Sequence, residues 1–183
     1  MALFTKHPLN KAILAAAFAL AGCQSEPLRP IATAPHVDLQ RFMGDWYVIG
    51  NIPTFLEKNA CNAVESYRLD SDGSIATTFT YRADGCDSPE KVMHPRGFVV
   101  DRNTNASWGM QFIWPIKAEY KIVHVADDYS ATIIGRRKRD YLWIMARTPV
   151  IPDAQYQHLL DIAVAQGYDA SLVRKVPQHW PGR

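Results

Sequence analysis

Short apolar stretches separated by turn residues run through the chain from Gly44 to Thr148. Within each stretch apolar side chains alternate or run continuously, and Gly, Asn, Asp or Pro stands at the boundaries, which is typical of strands joined by short turns. The pattern predicts eight consecutive strands, the first beginning in residues 44–50 and limited by Pro53, and the others at residues 62–69, 75–82, 91–101, 107–114, 117–126, 129–136 and 141–148. Eight strands with short connections favour an all-β fold, an up-and-down antiparallel β-barrel.

The periodicity changes after the eighth strand. From Pro152 to Gly167 apolar residues recur at spacings of three and four, which predicts an amphipathic α-helix ended by glycine. Leu142 and Ile144 lie on one face of the eighth strand, and we expect this C-terminal helix to cover them from outside the barrel. A short strand over residues 172–176 follows.

The opposite faces of the strands place wide aromatic rings and methionines in the barrel interior. An eight-stranded barrel either fills its interior or holds one small ligand, and patterning alone fits both. Aromatic rings and flexible Met side chains suit a lipid-sized apolar ligand. The candidate ligand-binding residues are Tyr67, Phe79, Tyr81, Met110, Phe112, Trp114, Tyr120, Trp143 and Met145.

The N-terminal segment reads as a targeting signal. Lys6 and Lys11 precede an apolar run at residues 12–21 that is too short to span a bilayer as a helix. An ordinary secretory signal fits, with Cys23 incidental. However, residues 20–23, Leu-Ala-Gly-Cys, resemble the bacterial lipobox, which implies lipidation of Cys23. Gln24 in place of Asp then favours the outer membrane, facing the periplasm.

This assignment divides the chain into three parts. Residues 1–22 form a lipoprotein signal peptide, residues 23–37 a lipidated anchor and proline-rich linker, and residues 38–183 the barrel domain. Stable anchoring needs several acyl chains, since one chain binds a membrane only marginally.

The charge of the chain excludes one class of partner. The chain has 20 basic and 18 acidic residues, and two of the basic residues fall in the signal, so the folded part is near neutral. This argues against nucleic acid as a partner, because phosphate neutralisation needs a basic surface.

In an oxidising compartment Cys61 and Cys86 either form a disulfide, worth about 3 kcal/mol, or remain separate thiols. No cysteine–histidine spacing predicts a metal, and no cofactor motif is present.

Two segments, one in the first predicted strand and one around the last, carry a family resemblance. Residues 44–47, Gly-Asp-Trp-Tyr, resemble the first lipocalin signature, and residues 139–149 resemble the later ones. With the lipobox, the chain resembles bacterial outer-membrane lipocalins of the Blc type over about residues 38–181. The resemblance implies that Arg147 lies across Trp46 and closes the barrel floor, where Gly44 begins the first strand. It also implies that Trp143 lines the cavity.

The family resemblance implies binding of a fatty acid, lysophospholipid or similar lipid for storage, transport or envelope maintenance. It allows a homodimer and does not imply the disulfide. Glu65 has the parity of Tyr67, so it lies either inside the cavity, where a carboxylate would favour a cationic or zwitterionic head group, or at a solvated rim.

Two alternatives to a lipid carrier remain. A lipid hydrolase or isomerase could use the same barrel, although no nucleophile–base set is evident. An interaction scaffold could use the basic run at residues 136–139, which otherwise reads as a solvated hairpin tip.

Overall fold

The computed structural model describes residues 29–180. The predicted signal peptide and the lipidation site Cys23 lie outside these residues. The strands are β1 (Gly44–Ile52), β2 (Cys61–Leu69), β3 (Ser74–Arg82), β4 (Glu90–Met93), β5 (Arg96–Asp101), β6 (Ser107–Ile113), β7 (Ile116–Val125), β8 (Ala131–Gly135), β9 (Leu142–Ala146) and β10 (Arg174–Lys175). The α-helices are α1 (Leu39–Phe42) and α2 (Asp153–Ala165), and a 3₁₀ turn covers Ala170–Leu172.

Antiparallel pairing of sequential strands closes into a barrel. Strands β1, β2, β3, β5, β6, β7, β8 and β9 pair in that order, β4 also pairs with β3, and β1 pairs with β9, with Val48 opposite Met145. Counting β4 and β5 as one interrupted strand, the barrel has eight strands, which confirms the predicted fold class.

The predicted fourth strand is not continuous. It divides at His94 and Pro95 into β4 and β5, both of which pair with β3. Proline cannot donate to a strand ladder, which accounts for the break. The Pro95 carbonyl still accepts a hydrogen bond from the Thr77 amide at 3.1 Å.

Helix α2 packs outside the barrel as predicted. Its buried residues Leu159 and Ala163 lie in one apolar cluster with Ile133, Leu142 and Ile144. The short β10 pairs with β1 rather than extending over residues 172–176.

The linker prediction is wrong for residues 31–37. Ile31, Ala34 and Val37 are buried. The Ala34 amide donates to the Ile122 carbonyl at 2.9 Å, and the Val37 amide donates to the Thr104 carbonyl at 2.8 Å. Apolar residues between the prolines therefore fix this segment against the barrel.

A disulfide joins Cys61, the first residue of β2, to Cys86 in the turn between β3 and β4. The pairing that the sequence left open is thus present. Within residues 29–180 no helix is long and apolar enough to cross a membrane.

Candidate functional site in the barrel interior

One end of the barrel is closed by Trp46 and Arg147. The Arg147 guanidinium carbon lies 3.7 Å from the centre of the Trp46 ring. Arg147 also donates to the carbonyls of Arg41 at 2.7 Å and Asp45 at 2.8 Å, and the Trp46 indole donates to the Phe42 carbonyl at 2.8 Å. The cation–π contact and these hydrogen bonds tie α1 across the barrel floor.

Gly44 begins β1 beside Arg147 in a backbone conformation that favours glycine. Its φ of 92° lies in the left-handed region, and a Cβ there would stand 3.4 Å from Arg147 Nη1. Glycine adopts this conformation without steric cost.

Aromatic side chains fill the interior directly above the floor. Trp108 and Tyr120 stack at 5.3 Å between ring centres, and Phe42 meets the Trp108 edge at 5.4 Å. Tyr67 packs against both Phe42 and Trp108. The lower half of the barrel is thus a packed core.

Above this core lies an open cavity of about 380 Å³ with a mostly apolar lining. Its walls come from β2, β3, β4, β6, β7 and β9 and from the loop after β1. The lining residues are Thr54, Phe55, Leu56, Glu57, Glu65, Thr77, Phe79, Met93, Pro95, Met110, Phe112, Ile113, Ala118, Glu119, Tyr120, Arg136, Tyr141 and Trp143.

The structure brings five of the nine candidate ligand-binding residues together around this cavity, namely Phe79, Met110, Phe112, Tyr120 and Trp143. Tyr67 and Tyr81 are buried in the barrel but do not line this cavity. Tyr81 stacks on Phe79 at 4.7 Å between ring centres. Tyr67 therefore belongs to the packed core below the cavity, and Tyr81 packs against a lining residue.

The placement of Trp114 and Met145 in the cavity lining is wrong. Trp114 follows the end of β6, where strand alternation stops, and its side chain is almost fully exposed. Met145 points inward but is fully buried in the packed core, on the level of Val48.

Residues 54–57, in the loop between β1 and β2, line the cavity although strand patterning gave no reason to include them. Glu57 is buried there and accepts hydrogen bonds from Thr54 Oγ1 at 2.7 Å and from the Trp143 indole at 2.9 Å. Phe55 and Leu56, two apolar residues in a loop, were the available signal.

Glu65 lies inside the barrel rather than at a solvated rim. It pairs in register with Trp46, so it is at the lower end of the cavity. The Tyr67 hydroxyl donates to its carboxyl group and lies 2.5 Å from the Tyr120 hydroxyl. These three side chains form a buried polar network beneath an apolar space.

Burial controls the protonation of this network. It raises the pKa of Glu65 to about 8, and the Glu57 carboxylate adds to the shift. Burial, and next the negative charge of Glu65, raises the pKa of Tyr120 well above its ordinary value. Glu65 is therefore mostly a neutral carboxylic acid at pH 7.

The rim carries the remaining charges. Arg136 Nε lies 3.0 Å from Asp140, and its guanidinium stands over the Tyr141 ring at 5.1 Å. Glu119 accepts from Arg137 at 2.7 Å. Among residues 29–180 no group of three or more His, Cys, Asp or Glu side chains could hold a metal ion.

Comparisons with known proteins agree with this geometry. A family model described as a lipocalin-like domain matches residues 37–178. Temperature-induced lipocalin-1 of Arabidopsis thaliana is 29% identical over 157 residues, which cover 78% of this chain and 80% of that protein. The outer membrane lipoprotein Blc of Citrobacter freundii is 27% identical, covering 91% and 94%.

A solved structure extends the likeness to the fold. Insecticyanin from the tobacco hornworm Manduca sexta superposes with a TM-score of 0.65 at 14% identity, covering 81% of this chain and 84% of that one. At this identity the match supports the barrel architecture alone.

Proposed function

Because the chain belongs to the lipocalin family, whose members bind small hydrophobic ligands, we propose that it holds a fatty acid, lysophospholipid or similar lipid in the upper barrel. The observation that carries this proposal is the apolar cavity of about 380 Å³ above the aromatic core. Its size is within the range of ligand pockets, and its few polar groups could orient a ligand.

The charges around the cavity favour one ligand orientation. Among the described lining residues Arg136, at the rim, is the one cation, whereas the lower end holds Glu65. We therefore place a carboxylate or phosphate head group at the mouth near Arg136 rather than near Glu65, with the hydrocarbon chain among Phe79, Met110 and Phe112. The carboxylates of Glu57 and Glu119 line the same cavity. Because Glu65 is mostly neutral, it does not repel an anionic lipid. The ionised carboxylate considered in the sequence analysis would repel one.

We further propose that the protein acts at the outer membrane, attached through lipidated Cys23 and facing the periplasm, in lipid storage, transport or envelope maintenance. The lipobox-like residues 20–23 and the Blc relatives support this placement. Labelling of cells with a radioactive fatty acid, compared with Cys23→Ser, tests the anchor. A homodimer remains a prediction that sedimentation analysis can test.

Removing the Trp143 side chain should weaken lipid binding. Trp143→Ala deletes an aromatic wall and frees Glu57 from its indole partner. We expect an affinity loss of about tenfold or more for a fluorescent fatty acid or lysophosphatidylcholine, measured by titration. Phe112→Ala should also weaken binding.

Trp180→Ala provides the matched control, because Trp180 packs edge-on against Tyr47 at 5.8 Å and does not line the cavity. Unchanged affinity in Trp143→Ala and Phe112→Ala would refute the cavity assignment. Native mass spectrometry of the membrane-extracted protein should show a co-purified lipid.

We regard the protein as a carrier and not an enzyme. One observation favours the alternative of a lipid hydrolase or isomerase. Glu65 is a carboxyl group with a raised pKa inside a cavity, and such a group is a candidate general acid or base. Catalytic turnover of a lipid substrate that Glu65→Gln abolishes while binding persists would establish the enzyme.

A further inference from the structure

The β6–β7 hairpin ends in an apolar tip that nothing else in residues 29–180 covers. Ile113, Trp114 and Ile116 are 73%, 83% and 69% exposed, and Phe112 and Pro115 are exposed beside them. Scattered exposed apolar side chains are normal on a protein, but five in succession form a patch that marks a contact surface.

This tip is continuous with the ligand cavity. Phe112 and Ile113 line the cavity and also face solvent. Phe55 and Leu56, from the loop after β1, do the same. Apolar surface therefore extends from inside the barrel over its rim, so whatever covers the tip also meets the cavity mouth.

A basic turn stands next to the apolar tip. Strands β7 and β8 pair with Lys121 opposite Gly135, which places the turn at residues 136–140 beside the β6–β7 hairpin. This turn has four basic residues and one acidic residue. Lys138 is exposed, and so is Arg137, whose guanidinium also pairs with Glu119 at 2.7 Å. Exposed basic groups close to an apolar tip complement an anionic lipid surface.

Apart from Glu119 and Asp140, which pair with Arg137 and Arg136, acidic residues of the rim lie on another side. The turn between β3 and β4 carries Asp84, Asp87 and Glu90. An anionic surface would repel this side and attract the basic one. The charge distribution therefore selects one orientation of the mouth against such a surface.

We propose that residues 112–116 with Arg137 and Lys138, here called the docking face, seat the barrel mouth on an anionic phospholipid bilayer. Trp114 lies at the depth of the head groups, where amphipathic indoles are favoured, with the isoleucines beside it in the acyl boundary. Arg137 and Lys138 contact lipid phosphates. Lipid then passes between bilayer and cavity without crossing bulk water, a consequence that rests on the proposed function.

The test uses residues 23–183 carrying Cys23→Ser, so that no acyl chain contributes to binding. Every buried apolar residue of the described chain lies between Ile31 and Val176, so this form keeps the whole core. Co-sedimentation is measured with vesicles of phosphatidylglycerol and phosphatidylcholine in a one-to-three ratio. We expect Trp114→Asp to weaken vesicle binding about tenfold or more, since binding scales with buried apolar area.

Val150→Asp is the matched control. Val150 is 74% exposed but follows β9 at the floor end of the barrel, and its replacement should leave vesicle binding unchanged. Lys138→Glu should weaken binding to these vesicles but not to pure phosphatidylcholine. Arg102→Glu, in the exposed turn after β5, should have little effect.

A second measurement avoids any dependence on folding of the charged variant. Brominated phospholipids should quench part of the tryptophan fluorescence of the unsubstituted form, and Trp114→Phe should remove that quenching while still binding vesicles. Equal vesicle binding by the unsubstituted form and Trp114→Asp would overturn the proposal. So would Trp114-dependent self-association without vesicle binding.

The two proposals fail separately. Trp114→Asp should bind a soluble fatty acid as the unsubstituted form does, because Trp114 does not line the cavity. Loss of vesicle binding with intact fatty-acid binding supports the docking face. Intact vesicle binding with no lipid in the cavity contradicts the proposed function instead.

Discussion

At the residue scale, the behaviour of Glu65 depends on what surrounds it in the barrel. In the unfolded chain its carboxyl has an ordinary pKa of 4.5, and in the folded barrel burial raises that pKa to about 8. Between these values the folded protein keeps a proton that the unfolded chain releases. The free energy of unfolding therefore falls as the pH rises through this window.

Glu65→Gln should remove this pH dependence. The amide keeps the size and an acceptor for the Tyr67 hydroxyl but cannot ionise. We expect the variant and the parent to have similar stability near pH 5, and the variant to be more stable near pH 8 by on the order of a few kcal/mol. Urea denaturation followed by circular dichroism measures the difference.

Glu90→Gln is the control for this experiment, because Glu90 lies exposed at the start of β4. It should follow the parent across the pH range. If Glu65→Gln also followed the parent, Glu65 would ionise normally and the buried network would need another description.

At the element scale, the segment that follows helix α2 packs against the barrel at a position where strand β8 has no side chain. Gly135, the last residue of β8, lies directly under Tyr168, and an added Cβ would collide with the tyrosine hydroxyl. That hydroxyl accepts from the Arg136 amide at 2.8 Å. The close contact between Tyr168 and strand β8 therefore depends on the absence of a side chain at Gly135.

Gly135→Ala should destabilise the protein by about 1–3 kcal/mol, because overpacking displaces Tyr168 from its site. Chemical denaturation provides the measurement. Tyr168→Phe added to Gly135→Ala should recover part of the loss, since it removes the nearest colliding atom. Additive losses in the double variant would show that the collision is not the cause.

At the scale of the whole molecule, the disulfide ties the turn between β3 and β4 to the start of β2. The two cysteines are 25 residues apart in sequence. A covalent loop of this length restricts the unfolded chain, which raises the free energy of unfolding in the chain-entropy account.

Replacing both cysteines, Cys61→Ser with Cys86→Ser, should lower the free energy of unfolding by about 3 kcal/mol. Neither cysteine lines the cavity, so fatty-acid affinity should persist below the new melting temperature. The reduced parent protein should match the double variant in urea. Equal stability of oxidised and reduced protein would contradict the expectation.

The sequence by itself determined the barrel and its covering helix, and its family resemblance implied the meeting of Trp46 with Arg147. Strand alternation and turn residues act over a few positions, so they can be read locally. Once the strands close in order, parity places Arg147 inward at the floor.

Only the tertiary structure decided how the interior divides into packed core and cavity. Strand alternation places Glu65, Met145 and Trp114 on inward faces. In the structure Glu65 is a buried acid, Met145 belongs to the packed core and Trp114 faces solvent. Register across strands, bulges and the fold of residues 53–60 set these outcomes, and none of them is encoded at a single position. The burial of Ala34 and Val37 has the same cause, since their partners Ile122 and Thr104 are distant in sequence.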